Sequence, residues 1–329
     1  MKQFSSIKIA GTGSFLPDKI VTNADLEKIV DTSDEWIVTR SGIKERRIAE
    51  NGVTTSYMSS KAALRAIDAA GLKPSDIQMI IVATVTPDHL FPATACLVQE
   101  AIGANNAAAF DLSAACSGFV SALSVGSSFI ESGLYDNVLI IGADTLSKIT
   151  DWQDRSTCVL FGDGAGATVL RRSDKGSRIL YQTMGSDGSG SDLLVVPAGG
   201  SGMPASEETV KNRDHFIKMK GNELFKWAVK KMKDLISDAI EATNISVDDI
   251  KYIVSHQVNI RIISAALKRL EIPLEKVEIN LDKYGNTSSA SVPIALDELV
   301  RRNVIKKGDK VLMVAFGSGL TWATFLIEW

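Results

Sequence analysis

Cys116 is the first residue whose surroundings could do chemistry. Residues 109–112 are short, apolar and bounded, like a buried strand, whereas Phe119, Val120, Leu123, Phe129 and Ile130 recur at helical spacing. Small residues fill the corner between the two segments, and Cys116 stands in it. A thiol at a helix N-terminus meets unpaired backbone N–H groups and the positive end of the helix dipole, and both favour the thiolate, the form that attacks carbon. A small buried hydrophobe would fit the same corner, as most free cysteines do.

The second half of the chain supplies partners. His256-Gln257-Val258-Asn259 follows a strand expected over 252–255, and residues 284–291, with Asn286, occupy a strand-to-helix corner equivalent to that of Cys116. Gly317-Ser318-Gly319 leaves the last long strand as a turn whose backbone N–H groups could face an oxyanion. Singly, His256 reads as a satisfied core histidine, Asn286 as a helix cap and the glycines as a turn. Their convergence on one sheet edge favours a reactive site. Trp36 and Arg40 share a face of a helix capped by Ser33, which suits surface packing or the holding of an adenine and its phosphates. Gly162 to Ala167 has the look of a dinucleotide fingerprint, but a strand is expected after it instead of a helix, and that reading is set aside.

Composition narrows the class. The 329 residues are 45% hydrophobic, and 36 basic against 39 acidic side chains leave a net charge of −3, so nothing draws the whole molecule to nucleic acid. Three cysteines and three histidines are scattered without metal-ligand spacing, so neither a disulfide framework nor a metal site is expected. No apolar run approaches a membrane span and residues 1–6 hold no apolar signal core, which points to a cytoplasmic protein.

The chain repeats itself. Ile67 and its surroundings recur at Ile240, and Val138 and its surroundings recur at Val311, with the same offset along the chain in both cases. Each half carries helix, strand, helix, strand, helix, strand in the same order, closed by a hairpin signal at 165–171 and at 322–329. Two halves follow, residues 1–172 carrying Cys116 and residues 173–329 carrying His256, Asn286 and the glycine turn. Near-continuous apolar strands between helices imply mostly parallel sheets covered on both faces, an α/β protein. The helices over 57–70 and 223–242 have long apolar stripes and are expected to meet between the sheets, giving five layers. Residues 185–214, rich in Gly and Ser and without periodicity, read as a long surface loop.

These residues resemble the thiolase-fold condensing enzymes, and within them the β-ketoacyl-[acyl-carrier-protein] synthase III family that initiates bacterial fatty-acid synthesis. The resemblance runs from about Ile7 to Trp329 and rests on residues 31–37 (Asp-Thr-Ser-Asp-Glu-Trp-Ile), Phe161 to Ala167, His256-Gln257-Val258-Asn259 and Gly285-Asn286-Thr287-Ser288. It implies a duplicated thiolase-like fold, a five-layered αβαβα-type arrangement of two mixed sheets around buried helices. Thiolases carry a second cysteine in the C-terminal glycine turn and chain-elongating synthases a second histidine. This chain has no cysteine beyond Cys158, and Asn286 at the second position.

By resemblance, an acyl-CoA, acetyl-CoA by expectation, acylates Cys116. Malonyl-[acyl-carrier protein] then loses CO2 and condenses, giving 3-oxoacyl-[acyl-carrier protein] and releasing CoA as the other product. His256 and Asn286 would donate to the enolate oxygen, and the N–H groups of Cys116 and Ser318 would form the oxyanion hole, although the family usually has Gly where this chain has Ser318 and Ala where it has Val258. Thr32, Trp36, Arg40, Arg155, Gly221, Phe225 and Asn259 would hold CoA, with Ser156 replacing a common Gly beside Arg155. Phe91 from a partner chain, Leu146, Phe161 and Leu193 would shape the acyl pocket. Lys226, Arg261, Lys268 and Arg269 match a basic patch for the acidic carrier protein, or form an ordinary solvated helix face. No tightly bound cofactor is implied. A homodimer is expected, because Phe91 to Thr94 resembles the family's cross-dimer loop and the strand after the Cys116 helix has an apolar edge to cover. A related condensing or acyl-transferring enzyme of secondary metabolism, or a non-catalytic acyl-CoA-binding protein, would share these residues.

Overall fold

A computed structural model describes residues 7–173 and 177–329. The expectation on residues 1–6 therefore lies outside the described residues. In chain order the strands are β1 (Ile7–Phe15), β2 (Ile20–Thr22), β3 (Glu45–Arg47), β4 (Met79–Ala83), β5 (Ala108–Leu112), β6 (Asn137–Thr145) and β7 (Asp163–Arg172), then β8 (Arg178–Gly185), β9 (Leu194–Val195), β10 (Lys218–Met219), β11 (Ile250–Ser255), β12 (Lys310–Gly317) and β13 (Thr321–Glu328). The helices are α1 (Asn23–Leu26), α2 (Asp34–Ser41), α3 (Thr55–Ala69), α4 (Thr94–Ile102), α5 (Gly118–Glu131), α6 (Glu207–Lys211), α7 (Gly221–Thr243), α8 (Ile260–Lys268), α9 (Leu281–Tyr284) and α10 (Ser291–Arg301).

Two mixed sheets carry the molecule, in the orders β1-β7-β6-β4-β5 and β11-β12-β13-β8. Parallel pairing joins β4 to β5 and to β6, and β11 to β12. The hairpin strands β7 and β13 bring the antiparallel pairs, so the sheets are less parallel than strand–helix alternation suggests. β6, the strand after the Cys116 helix, is internal, and the open edge on that side belongs to β5, the strand before it. In the second half the counterpart of β5 shrinks to a single bridge between Ile253 and Val277.

The five layers are present, but the helices expected in the middle lie outside. Phe119, Val120 and Leu123 of α5 and Val292, Leu296 and Leu299 of α10 share one core with Ile81 and Ile140 of the first sheet and Met313 and Phe325 of the second. α3 and α4 cover the outer face of the first sheet, and α7 and α8 that of the second. The two helices expected in the middle keep cations in water, Lys61 and Arg65 on α3 and Lys226 and Lys230 on α7. A helix enclosed between two sheets has no solvated side for such groups. α5 fits there because Gly118, Ser121, Ala122, Gly126 and Ser127 are small and buried, and the hydroxyls of Ser127 and Ser128 donate back to the carbonyl of Ser124, both at 2.9 Å.

Within the stretch expected to be a featureless loop, β9 pairs with β10, α6 is capped by Ser206, and Leu194, Val196 and Ile217 pack on Leu146 and Phe161. The segment is a wall of the site. No helix among the described residues is long and apolar enough to cross a membrane, and no group of His, Cys, Asp and Glu there could hold a metal ion.

Candidate active site

Three tight corners meet where the two sheets' strand ends converge. Each contains a non-glycine residue with positive φ: Ala115 (46°), Ser288 (52°) and Leu320 (46°). Such backbone costs about 1–3 kcal/mol per residue and survives only where neighbours enforce it. Ala115 and Ser288 are related by the same offset that relates Ile67 to Ile240, so the duplicated halves make the same strained turn twice. The turn after Ala115 presents Cys116 ahead of α5, and the turn after Ser288 leads into α10.

Cys116 is only 8% exposed and lies at the junction of two cavities. One, of about 200 Å³, also meets His256, Asn286, Asn259, Gly221, Phe225 and Gly317. The other, of about 440 Å³, runs beyond the thiol past Leu146, Phe161, Leu194, Ser288 and Ser318. Gly317 is required by contact, since a Cβ there would sit 2.6 Å from the backbone nitrogen of Cys116. That close approach puts the C-terminal glycine turn against the Cys116 corner.

Burial pushes the Cys116 thiol up to about 12, opposed in part by a hydrogen bond from Ser288. This overturns the expectation of a depressed pKa: the helix N-terminus is there, but the side chain is buried among mostly apolar groups, where the charged form loses its hydration. Cys96 and Cys158 both lie in apolar stretches of sequence, where burial disfavouring a thiolate is expected; Cys158 meets that expectation and Cys96 does not. Cys158 is fully buried and raised to about 11, chiefly by burial, whereas Cys96 is exposed and not enclosed in an apolar run.

His256 follows β11 directly, and its backbone N–H donates to Val314 of the neighbouring strand at 2.9 Å. Its Nδ1 lies 2.8 Å from Ser291 Oγ, and its ring meets Phe316 edge-on at 5.8 Å. Burial lowers its pKa to about 3, so the ring is neutral at physiological pH. Asn286 is fixed by its backbone, which donates to Leu160 at 2.8 Å and accepts from Gly162 at 3.0 Å. Its Oδ1 accepts from the N–H of Ser288 at 2.8 Å, which leaves the amide Nδ2 free to donate into the cavity. The residue before Asn286 in this corner follows a short helix, α9, and not the expected strand.

Asn259 caps α8, accepting from the Arg261 N–H at 2.9 Å, while its Nδ2 donates to the Arg40 carbonyl at 2.9 Å. Arg155 stacks over Trp36 with 4.8 Å from guanidinium to ring centroid, Arg40 approaches the same ring at 6.0 Å, and Arg155 donates to the Asp31 carbonyl at 2.7 Å. The Thr32 hydroxyl nearby is buried with no partner among the described residues. Arg261 lies 5.4 Å over the Phe225 ring, which lines the narrower cavity. Lys226, Arg261, Lys268 and Arg269 are exposed, and none of them ion-pairs with a carboxylate among the described residues.

Of the side chains expected around an acyl pocket, Leu146 and Phe161 line the larger cavity. Leu193 does not: β9 begins one residue later, and Leu194 takes the place, touching both cavities. Phe91 is 85% exposed and lines neither. Ser318 lines the larger cavity and donates its hydroxyl to the carbonyl of Leu194 in a short bond.

Sequence patterns did not single out three residues that hold this arrangement. Asp144, fully buried at the end of β6, accepts from Thr84, Val85 and Thr86 on one oxygen (2.8–3.0 Å) and from Ser289 on the other. Arg46, also fully buried, donates to the carbonyls of Val21 and Val159 and to Asn23, and so braces the segment that carries Leu160 and Phe161. Ser291 meets His256. A lone buried charge is a signal in principle, but nothing in the local sequence says that Asp144 or Arg46 is buried.

Two family models match the chain, 3-oxoacyl-[acyl-carrier-protein (ACP)] synthase III over residues 110–188 and its C-terminal counterpart over residues 240–329. A β-ketoacyl-[acyl-carrier-protein] synthase III of Caldanaerobacter subterraneus subsp. tengcongensis is 59% identical over 98% of this chain and 97% of its own, and one of Clostridioides difficile is 55% identical over 98% of both. The crystal structure of 3-oxoacyl-[acyl-carrier-protein] synthase III from Aquifex aeolicus superposes with a TM-score of 0.91 at 50% identity, covering 98% of this chain and 100% of that one. With its duplicated fold and full-length similarity, the chain belongs to the β-ketoacyl-[acyl-carrier-protein] synthase III family of condensing enzymes.

Proposed function

We propose that the protein condenses an acyl group taken from acyl-CoA, acetyl-CoA by preference, with malonyl-[acyl-carrier protein] in a ping-pong sequence, with Cys116, His256 and Asn286 as its catalytic residues. The observation that carries this is the position of the thiol at the junction of two cavities, one lined by Asn259, Gly221 and Phe225 and the other by Leu146, Phe161 and Leu194. A pantetheine arm entering by the first would set its thioester at the sulfur and its acyl chain in the second.

In the first half-reaction Cys116 sulfur attacks the thioester carbonyl, the C–S bond to CoA breaks, and the thiol proton leaves with CoA as its thiol. The backbone N–H groups of Cys116 and Ser318 hold the tetrahedral oxyanion. In the second, the malonyl carboxylate departs as CO2 and its bonding electrons become an enolate, whose oxygen takes hydrogen bonds from His256 and Asn286. The enolate carbon attacks the acyl-cysteine and the Cys116 sulfur leaves to regain a proton. No base is needed, because loss of CO2 itself creates the carbanion. A neutral histidine can fill this role, since one of its ring nitrogens still carries an N–H to donate.

Trp36, Arg155, Arg40 and Thr32 form the CoA head site in this reading. Arg155 must swing from its stack on Trp36 to admit an adenine, and the unpartnered Thr32 hydroxyl is available to the incoming group. Lys226, Arg261, Lys268 and Arg269 receive the acidic carrier protein, whose complementary charge favours fast docking. The exposed Leu90 and Phe91 and the open β5 edge support a homodimer with Phe91 directed at the partner's acyl pocket, and sedimentation as a monomer at micromolar concentration would contradict it. A carrier-protein partner supports a cytoplasmic location. The division at residues 172 and 173 is read as two duplicated halves of one enzyme, adjoining residues outside the described set.

Weighing the intact protein after incubation with a panel of acyl-CoAs tests the first half-reaction: a mass gain of one acyl group, lost in Cys116→Ala, is expected. Asn286→Ala should still acylate yet lose condensation by about 10²–10³. Undiminished CO2 release from malonyl-carrier protein by Asn286→Ala would return that residue to the role of a helix cap.

A further inference from the structure

The Ser291 hydroxyl lies between two groups. The backbone N–H of Gln257 donates to its oxygen at 3.4 Å, and Nδ1 of His256 stands 2.8 Å away. Ser291 and His256 are each 1% exposed, so water does not compete for either. No other acceptor for the hydroxyl proton lies within hydrogen-bond distance among the described residues, and a buried O–H keeps a partner. With one lone pair of the oxygen facing the Gln257 N–H, the hydroxyl proton has Nδ1 as its one acceptor. Had Nδ1 carried the proton instead, Ser291 Oγ would accept twice and its own proton would be stranded.

We infer that Ser291 is a positioning residue which donates to Nδ1 of His256 and thereby fixes the neutral imidazole as the Nε2–H tautomer, with its N–H available to the cavity that holds Cys116. The inference rests on the enolate-donor reading of His256 for its functional meaning, but the tautomer itself does not. Three further features fit it. His256 is buried and neutral, so it carries a single ring proton that must sit on one nitrogen or the other. Phe316 packs on the ring edge-on and opposes its flipping. Ser291 begins α10, directly after the turn that carries Asn286 and Ser288, so one short segment places one of the two proposed enolate donors and sets the tautomer of the other. A ring with its proton on Nδ1 would turn a lone pair toward the developing negative charge and repel it.

The test uses the full-length protein labelled with 15N-histidine. Only three histidines are present, and His256→Ala identifies the resonances of interest. The wild-type spectrum should show His256 Nδ1 as the unprotonated, hydrogen-bond-accepting nitrogen and Nε2 as the protonated one. A protonated Nδ1 overturns the inference without need of any variant. Ser291→Ala should populate the other tautomer and lower kcat for condensation at least about tenfold, short of the ~10²–10³ that loss of the donor itself costs. KM for acyl-CoA and the yield of acyl-enzyme should stay unchanged. Ser291→Thr, which keeps the hydroxyl, should restore both the spectrum and kcat. An Ala variant with the wild-type tautomer overturns the inference. A wild-type tautomer as expected together with full CO2 release by His256→Ala would uphold Ser291 and sink the enolate role, so the two failures are separable.

Discussion

Ser289, which occupies in the second half the position that Cys116 occupies in the first, donates both its backbone N–H (3.2 Å) and its hydroxyl (2.8 Å) to one carboxylate oxygen of Asp144. The duplicated counterpart of the nucleophile is thus a tether. Asp144 belongs to the first sheet and Ser289 to the turn that carries Asn286, so one buried carboxylate joins the two halves beside the site. Close approach reinforces the join, because a Cβ on Gly142 would lie 2.3 Å from the Ser289 carbonyl oxygen.

Asp144→Ala strips the acceptor from buried donors on both halves, and each buried donor left unsatisfied costs about 1–3 kcal/mol. A drop in melting temperature on the order of 10 °C is expected for a chain of this size. An unchanged melting temperature would show that the donors find other acceptors, Ser289 Oγ already lying 2.8 Å from the Ala83 carbonyl.

The raised pKa of Cys116 makes its alkylation strongly pH-dependent. Only the thiolate reacts, and with a pKa of about 12 its fraction rises roughly tenfold per pH unit throughout the range from pH 7 to 10. Iodoacetamide rates at Cys116, followed by peptide mapping so that the exposed Cys96 is counted apart, should climb without a plateau. Levelling near neutral pH would mean that the helix N-terminus outweighs burial.

His256 links stability to acid. Its folded pKa is about 3 against 6.5 for the free side chain, so below pH 6.5 the unfolded chain binds a proton that the folded chain refuses. Its stabilising contribution is full above 6.5 and is lost as pH falls toward 3, at up to about 1.4 kcal/mol per pH unit. His256→Gln removes that term, so its melting temperature should fall less steeply than the wild type's between pH 6.5 and 4. Parallel curves would show that the buried imidazole titrates normally.

The hydroxyl of Ser318 ties the glycine turn to Leu194, a wall of both cavities. Ser318→Gly should free that wall and shift primer selection toward longer acyl chains, by up to about tenfold in relative kcat/KM, the worth of one hydrogen bond. Competition between acetyl-CoA and longer acyl-CoAs measures this, and an unaltered ratio would leave Ser318 without a part in selectivity.

Much of the site was legible in the sequence because its signals are local. Cys116 stands between an apolar strand and a small-residue helix start, and Ser33 before Trp36 is a capping pattern that the structure reproduces, with a 3.1 Å bond from the Trp36 N–H to Ser33 Oγ. The internal repeat, with its constant offset from Ile67 to Ile240 and from Val138 to Val311, survives because both halves bury the same strands and helices in the same order. These properties depend on hydrophobic period and turn chemistry, which neighbouring residues determine.

Tertiary structure decided what depends on enclosure. Apolar stripes on α3 and α5 look alike in sequence, and only the need of Lys61 and Arg65 for water places α3 outside, while α5, uncharged on every face until Glu131, is admitted between the sheets. The helix start at Cys116 predicts a thiolate, yet burial of the thiol reverses the sign, because loss of hydration outweighs a partial dipole. Leu194 replaces Leu193 as a cavity wall because the start of a two-residue strand sets which side chain turns inward. Asp144, Arg46 and Ser291 act through partners far away in sequence, and their charges and hydroxyls acquire meaning only when folding removes the water that would otherwise satisfy them.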